Sequence, residues 1–244
     1  MNTTLEIIEL SKNYNQKKAV NNISFKLNKN EIIGILGPNG CGKTTTIGMI
    51  LGLLKPTSGK VLINGIEIEK NRVQLLNNLN FISPYIELPK KLTVKQNLIV
   101  YGKLYDVKNL KTKIEYLTEK LRLDDIINKI TGELSSGQKN RVSLAKSIIN
   151  DPLVLLLDEP TASLDPETGD FVRSFFENYQ KEKGTSILLA SHNMSEVERL
   201  CSSVLMMNNG SIIDQGSTDK LIQKHGRRNM EEVFLKLTRK NYEF

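Results

Sequence analysis

The stretch EIIGILGPNGCGKTTT, residues 31–46, indicates both a fold class and a kind of ligand. From Gly37 to Thr44 it follows the pattern G-x-x-x-x-G-K-T, which is the spacing of a phosphate-binding P-loop. The apolar run Ile32–Leu36 predicts a buried strand before the loop, and the apolar spacing of residues 44–54 predicts a helix after it. A glycine-rich turn in this context can direct its backbone N–H groups at an anion, and the positive N-terminal end of the helix reinforces them. The stretch therefore predicts nucleotide binding in an α/β fold.

Two side chains of this loop have specific expected roles. Lys43 can reach the β- and γ-phosphates of a nucleotide, and the hydroxyl of Thr44 can bind Mg²⁺. The other loop residues contribute mainly through their backbone. The expected nucleotide contacts in the loop are Gly37, Pro38, Asn39, Gly40, Cys41, Gly42, Lys43, Thr44 and Thr45.

Composition limits the kind of protein. A chain of 244 residues can form one large α/β domain or two small ones, and its hydrophobic content of 39% is ordinary for a globular protein. No apolar run approaches the roughly 18 residues of a membrane span, and no secretory signal is recognisable. Two cysteines argue against a disulfide framework and indicate a reducing cytosol. The net charge of +7 is spread out, and it indicates either a solvated surface or affinity for anionic lipid or nucleic acid.

A second polar group follows another predicted strand. The apolar run Leu153–Leu157 ends in Asp158 and Glu159, and side chains alternate along a strand, so the two carboxylates can serve different targets. Asp158 is suited to hold a metal with its water shell, and Glu159 to polarise an attacking water. Acids commonly end strands, but this pair follows a P-loop, which makes the pattern specific.

His192 directly follows a third predicted strand, residues 186–190. A single histidine is more often a surface or core residue than a ligand contact. However, three polar groups now lie just beyond the C-terminal ends of predicted strands, which is where ligands bind in open parallel sheets. His192 is therefore expected to contact the γ-phosphate.

The rest of the chain divides into regions of different pattern. Residues 5–36 alternate as in half-buried antiparallel strands, and Asn64-Gly65 predicts a type I′ hairpin turn. Helical spacing from about residue 93 to 128 indicates a helical subdomain, expected at about residues 85–150. The segment 218–244 is expected to form a short C-terminal helical extension. The whole chain, residues 1–244, is expected to be a single domain.

The segment LSSGQ, residues 134–138, precedes an amphipathic pattern. Ser135 with Gln138 has the form of a capping box, so this segment is a well-capped helix start in one interpretation. In the other, it is a second anion-binding helix N-terminus. Periodicity does not separate the two.

Taken together, these motifs resemble the ATP-binding subunit of an ATP-binding-cassette (ABC) transporter, with matches in order from Tyr14 to about His192. The resemblance implies an α/β fold of the P-loop NTPase, ABC-ATPase type. It has a mainly parallel core sheet, an N-terminal antiparallel β subdomain and a helical subdomain. It also implies MgATP hydrolysis, with ATP and Mg²⁺ as cofactors and Thr44 and Asp158 as metal-binding residues.

The family resemblance assigns further expected roles. Residues 134–138 resemble the family's signature motif, which acts across a head-to-tail dimer of two ATP-binding subunits, expected here to be identical. The implied contacts to ATP are Tyr14 against adenine, the signature residues Ser135, Ser136, Gly137 and Gln138 of the other subunit, and Asp165 in a loop that crosses the interface. Glu159 matches the catalytic glutamate and His192 the switch histidine, with Lys43 as the third catalytic residue.

The same resemblance implies a transmembrane permease partner and a peripheral location on the cytoplasmic face of the cell membrane. The ending FLKLT, residues 234–238, is similar to that of exporter ATPases, so export is the expected direction. No specific nucleic acid partner is expected.

Two positions depart from the family pattern. Ser136 stands where glycine is usual, and a small residue fits there. Pro84 stands where the family has a glutamine that touches Mg²⁺ and relays the nucleotide state to the membrane partner. We expect the loop around Pro84 either to present Tyr85, Ile86 and Leu88 to the partner as a stiff docking element, or simply to pack on the helical subdomain.

Two other functions have less support in the sequence. A soluble ABC ATPase acting on DNA or ribosomes is compatible with the basic charge. The DNA-repair members insert long coiled coils, though, and the translation members carry two cassettes. Here Leu134 lies only 91 positions after Lys43, without sustained heptads between them. A GTP-binding switch lacks support because the sequence has no Asn-Lys-x-Asp guanine motif.

Overall fold

The computed structural model describes residues 3–84, 86–162 and 164–239. The strands are β1 Thr3–Tyr14, β2 Lys17–Asn28, β3 Ile32–Leu36, β4 Ser58–Ile63, β5 Ile66–Glu67, β6 Leu79–Ile82, β7 Val154–Asp158, β8 Ser186–Ser191, β9 Ser203–Asn208 and β10 Ser211–Gly216. The α-helices are α1 Lys43–Ile50, α2 Arg72–Leu76, α3 Val94–Leu104, α4 Leu110–Lys120, α5 Ser136–Ser147, α6 Pro166–Lys183, α7 Met194–Leu200, α8 Thr218–His225 and α9 Met230–Arg239. A short 3-10 helix, Thr131–Glu133, precedes α5.

The larger sheet has six strands in the order β10-β9-β3-β8-β7-β6. Strands β9, β3, β8, β7 and β6 are parallel, and β10 pairs antiparallel with β9 at the edge. Because β3, β8 and β7 are neighbours, their C-terminal ends meet at one edge of the sheet. The predicted mainly parallel core sheet is confirmed.

The smaller sheet is antiparallel, in the order β2-β1-β4-β5. It confirms the predicted N-terminal antiparallel subdomain. The β4–β5 turn has φ of 48° at Asn64 and 77° at Gly65, as a type I′ turn requires.

Alternating side chains of the larger sheet divide the hydrophobic core in two. On β3, Ile33 and Ile35 pack with the small sheet and α1, whereas Ile32 and Leu36 pack toward the helices on the other face. Strand β7 repeats this division, with Val154 and Leu156 on the first side and Leu155 and Leu157 on the second. Both faces of the sheet are therefore covered, which explains why these strands are continuously apolar.

Helix α1 is shorter than predicted. It ends at Ile50, because Gly52 adopts φ of 64° and the backbone N–H groups of Leu53 and Leu54 both bond to the carbonyl of Gly48. This glycine-terminated arrangement stops a helix although the apolar spacing continues.

A buried lysine joins α5 to the end of β6. The Nζ atom of Lys146 donates to Asn80 Oδ1 and to the carbonyl of Phe81, both at 3.2 Å. It also lies 4.7 Å from the ring centre of Phe81 and 5.5 Å from that of Tyr101. Burial lowers the pKa of Lys146 to about 8.

This pKa predicts a specific pH dependence of stability. Unfolding restores the ordinary lysine pKa, so the unfolded chain binds one more proton than the folded chain between about pH 8 and pH 10.5. Below pH 8 the buried charge therefore lowers the free energy of unfolding, and this destabilisation is lost as the pH rises and the folded chain releases the proton. Relative to Lys146→Met, the wild-type free energy of unfolding should increase by roughly 2–3 kcal/mol across that window.

Denaturant titrations at several pH values measure this difference. Lys103→Met, at an exposed position on α3, is the control and should leave the pH dependence unchanged. A constant difference between wild type and Lys146→Met across the window would contradict the account of the buried charge.

Candidate functional site

Three polar segments meet where β3, β7 and β8 end. Leu36 at the end of β3 pairs with Ser191 at the end of β8, and Asp158 at the end of β7 pairs with Ala190. The P-loop, the carboxylates Asp158 and Glu159, and His192 therefore lie at one edge of the sheet, as the sequence predicts.

The P-loop backbone is shaped for an anion. Gly40 and Gly42 have φ of 79° and 114°, which other residues rarely adopt. Gly42 is also the N-cap of α1, and it has no side chain to occupy the N–H groups at the helix start. A side chain on Gly37 would overlap the carbonyl of Met207. The space beside Gly40 is open, so the loop can receive a phosphate group.

Lys43 is held inside the loop. Its Nζ donates to the carbonyl of Gly37 at 2.7 Å and to that of Pro38 at 3.4 Å, and it lies 3.8 Å from Oε1 of Glu159. The side chain is only 6% exposed, so its charge is poorly screened by solvent. These contacts place a cation between the loop and the candidate catalytic carboxylate.

Thr44 and Asp158 form the predicted metal-binding pair. The hydroxyl of Thr44 donates to Oδ2 of Asp158 at 3.0 Å. Burial raises the pKa of Asp158, although the Thr44 hydrogen bond and the charge of Lys43 oppose this rise.

Oxygen donors suit Mg²⁺, which commonly binds one or two protein groups plus nucleotide phosphates and water. Within the described ranges, no cluster of three or more His, Cys, Asp or Glu side chains could hold a metal alone. The donor set therefore fits Mg²⁺ bound together with a nucleotide.

Glu159 and His192 are in direct contact. His192 Nδ1 lies 2.8 Å from Oε2 of Glu159, and the backbone N–H of His192 approaches the same oxygen at 3.5 Å. Glu159 itself adopts φ of 52°, and its N–H donates to the carbonyl of Ala190 at 2.8 Å. The Glu159 side chain is 11% exposed and that of His192 56%. A sheltered carboxylate is thus paired with an imidazole that reaches solvent.

A single pocket of about 270 Å³ collects six of the nine loop residues that were predicted to contact the nucleotide, together with Tyr14 and the two carboxylates. The predicted site residues that line the pocket are Tyr14, Asn39, Gly40, Gly42, Lys43, Thr44, Thr45, Asp158 and Glu159. Tyr14 is 46% exposed at the end of β1, with Lys12 Nζ 5.1 Å from its ring centre. The ring can therefore still receive a planar base.

Cys41 does not line this pocket. It is buried behind the loop, and burial raises the pKa of its thiol. Its carbonyl accepts a hydrogen bond from the N–H of Gly210 at 2.9 Å. Cys41 therefore supports the loop from behind.

The signature residues lie elsewhere. Ser135 and Gln138 form the predicted capping box of α5, and Ser136 lines a separate groove beside Pro84 and Leu88. Gly137 faces the side chain of Thr168. Within one chain, none of these residues lines the nucleotide pocket.

Asp165 also lies outside the pocket. It is the N-cap of α6, and its side chain accepts a hydrogen bond from the N–H of Thr168 at 2.9 Å. Hydrogen bonds from Thr168 hold the pKa of Asp165 below its usual range. Like the signature residues, Asp165 is therefore not placed beside the nucleotide pocket of its own chain.

The loop after Pro84 does not present all of its apolar residues to a partner, which was one of the two expectations for it. Leu88 is buried in the hydrophobic core with Val94 and Leu98, so it is not presented to a partner. Its burial follows from packing against α3, which the sequence pattern leaves undetermined. Ile86 is 46% exposed. Tyr85 lies outside the described residues.

Some residues of the site were not predicted from the sequence. Lys17 and Ala19 on β2 line the pocket, and Glu196 on α7 bonds to residues on both sides of the Glu159–His192 pair. Lys17 lies in residues 11–30, which hold five lysines and no acidic residue, and this local positive charge indicates an anionic ligand only in general terms. Glu196 had no such signal, because its partner Thr161 lies 35 positions away in the sequence.

Comparisons with known proteins agree on the family. The sequence profile described as ABC transporter matches residues 20–162, more than half of the chain. The ABC transporter ATP-binding protein NatA of Bacillus subtilis is 34% identical over 221 residues, 89% of each chain. The Nod factor export ATP-binding protein I of Rhizobium johnstonii is 36% identical over 223 residues, 90% of this chain and 71% of that protein.

The fold comparison gives the same answer. A solved ATP-binding subunit of an ABC transporter matches with a TM-score of 0.89 and 27% identity, covering 96% of this chain and 99% of that one. In P-loop nucleotide hydrolases generally, a phosphate-binding loop and a nearby carboxylate hold the phosphates and the metal ion. The chain belongs to the ABC transporter family, as an ATP-binding and ATP-hydrolysing subunit.

Proposed function

We propose that this subunit binds MgATP in the 270 Å³ pocket and uses its hydrolysis to drive export through a separate membrane protein. The observation that carries the proposal is the convergence of the P-loop, Asp158 and Glu159 in that one pocket. Tyr14 receives the adenine, and the loop residues that line the pocket surround the phosphates, namely Asn39, Gly40, Gly42, Lys43, Thr44 and Thr45. Thr44 and Asp158 hold Mg²⁺, which when bound neutralises phosphate charge.

The polar side chains divide the chemical work among them. Glu159 accepts a proton from the attacking water, because its carboxylate is sheltered and its backbone N–H is bonded to Ala190 of β8. Lys43 stabilises charge that develops on the β- and γ-phosphate oxygens. The Nδ1 atom of His192 is engaged by Glu159, which leaves Nε2 to contact the γ-phosphate.

The working unit in this proposal is a head-to-tail pair of two copies of the chain. Its main support is that Ser135, Ser136, Gly137 and Gln138 lie outside the pocket of their own chain while their helix start is exposed. In a head-to-tail pair, this helix start meets the γ-phosphate in the other subunit, where its N–H groups and hydroxyls favour an anion. Asp165 lies in the loop that crosses the same interface.

We further propose a transmembrane permease as partner and a peripheral place on the cytoplasmic membrane face. None of the helices in the described part of the chain has the length and apolar character that a membrane crossing requires. Export is supported by the similarity to the Nod factor export protein. In this proposal the chain is one domain, with a helical subdomain at about residues 85–150 and an extension from 218.

Purification of the tagged chain from detergent-solubilised membranes tests the transport proposal. A hydrophobic membrane protein should copurify, and the reconstituted complex should hydrolyse ATP faster than the chain alone and move substrate outward. Copurification of ribosomes or DNA without a membrane protein would contradict it and favour a soluble ABC ATPase.

Pro84 yields a prediction about the metal. A proline side chain offers neither a donor nor an acceptor, so Mg²⁺ binding should not depend on position 84. We expect Pro84→Gln to leave the dissociation constant of MgATP within about threefold of wild type, a difference below 1 kcal/mol. Equilibrium titration with and without Mg²⁺ measures it. A tenfold or greater gain in affinity that appears only with Mg²⁺ would show that position 84 can still reach the metal.

A further inference from the structure

Glu196 is a fully buried carboxylate that the proposed function does not use. It is 1% exposed, on helix α7, four residues after His192. Its two oxygens accept hydrogen bonds from two different segments. The hydroxyl of Thr161 donates to Oε1 at 2.9 Å, and the hydroxyl of Ser191 donates to Oε2 at 2.7 Å.

These two donors flank the candidate catalytic pair. Thr161 belongs to the turn that follows Glu159, where the N–H of Ala162 donates to the carbonyl of Glu159 at 3.1 Å. Ser191 directly precedes His192, and its Oγ also accepts the N–H of Asn193 at 3.0 Å. One carboxylate thus joins the segment that carries Glu159 to the segment that carries His192.

The start of helix α7 does not by itself explain this arrangement. Asn193 already caps that helix, since its side chain accepts the N–H of Glu196. Burying a carboxylate is costly: burial raises the pKa of Glu196, although hydrogen bonds from Ser191 and Thr161 oppose the rise. The charge of Glu159 raises it further, and that of Arg173 lowers it.

We propose that Glu196 is a positioning residue for ATP hydrolysis, which fixes the turn 159–162 relative to residues 191–193. It thereby holds Glu159 and His192 at the 2.8 Å separation seen between Oε2 and Nδ1. The inference rests on the roles proposed for Glu159 and His192. It extends them to a residue that does not line the pocket.

The central test compares three variants by steady-state ATP hydrolysis of the purified full chain. Glu196→Ala removes both hydrogen bonds and should lower kcat by about 10- to 100-fold, because small displacements of catalytic groups have effects of that size. The KM for ATP should stay within about twofold, since the P-loop is untouched. Glu196→Gln can keep both bonds, with its amide accepting from one hydroxyl and donating to the other, and should remain within about threefold of wild type.

The conservative variant separates positioning from charge. A Glu196→Gln enzyme as slow as Glu196→Ala would overturn the proposal, as would a parallel rise of KM in Glu196→Ala. Glu198→Ala is the matched control, because Glu198 lies exposed on the same helix and bonds to the N–H of Met230. It should leave kcat unchanged, and an equal loss there would overturn the proposal.

A double-mutant cycle tests the connection to Thr161. Thr161→Val removes one bond at nearly constant shape and should lower kcat without changing KM. In the Glu196→Ala background it should have no further effect beyond about twofold, because the partner is already absent. If the effects of Thr161→Val and Glu196→Ala on kcat are additive, the proposed coupling between Thr161 and Glu196 is wrong. If Glu196→Ala does not fold, Thr161→Val and Glu196→Gln decide, and an unchanged kcat in Thr161→Val overturns the proposal.

The outcome is distinguishable from failure of the proposed function. Normal turnover in Glu159→Gln would remove the proposed base and with it the premise. Loss of turnover in Glu159→Gln, together with wild-type kcat in Glu196→Ala, would remove only the positioning role.

Discussion

Glu159→Gln is expected to lower ATP turnover by about 10²- to 10⁴-fold while ATP binding is retained. The amide keeps the shape of the side chain and its contact with His192, but it cannot accept a proton from water. Steady-state hydrolysis gives the rate, and equilibrium titration gives the affinity. Because ATP then persists in the site, the variant should elute as a dimer on size exclusion when ATP is present.

Glu198→Gln is the matched control on helix α7 and should hydrolyse ATP at the wild-type rate. Wild-type turnover in Glu159→Gln would contradict its role as general base. His192 would then be the next candidate, because its imidazole lies beside the same pocket.

Lys43→Ala is expected to weaken ATP binding by at least about 30-fold, equivalent to about 2 kcal/mol. The N–H groups of the loop alone do not balance the charge of the β- and γ-phosphates. Lys43 also bonds to the carbonyls of Gly37 and Pro38, so thermal unfolding must show that the variant is folded. Lys103→Ala, at an exposed position on α3, is the control. Unchanged affinity in a folded Lys43→Ala chain would refute the assignment of the P-loop.

Local sequence chemistry was sufficient for the centre of the fold. The strand β3, the P-loop and the start of α1 follow from an apolar run, a glycine pattern and helical spacing within residues 31–46. Strands β7 and β8 were predicted for the same reason, because strands buried on both faces are continuously apolar. The rule that ligands bind beyond parallel strand ends then brought His192 to the site.

Elements whose burial depends on distant partners were missed. Strand β6 contains Asn80, a polar residue that is buried only because Lys146 and Asn150 bond to it. Helix α6 was missed for a different reason. Asp165 followed by Pro166 is a recognisable helix start, and its signal was available in the sequence.

In the candidate site too, the sequence identifies residues with strong local patterns and misses those whose role depends on tertiary contacts. The P-loop, Asp158 and Glu159 carry strong local patterns, whereas Glu196 is an ordinary acid in a helix until Thr161 and Ser191 are placed beside it. The position of Leu88 likewise depends on packing with α3. Roles that act between subunits, as proposed for Ser135 and Asp165, are not determined by the conformation of one chain.

The most direct test of the central claim is the ATPase activity of an equimolar mixture of Ser135→Arg and Lys43→Ala chains. Each variant alone should be nearly inactive, because every site in its dimer carries one damaged element. With random pairing, half of all dimers in the mixture are heterodimers. In a heterodimer, one site carries both changes and the other carries neither. An equimolar mixture of wild type with Lys43→Ala, corrected for the quarter of its dimers that are wild type in both subunits, shows how much one intact site contributes. Recovery of turnover to that level is the predicted result, and an inactive mixture of folded, ATP-binding Ser135→Arg with folded Lys43→Ala would contradict the shared site.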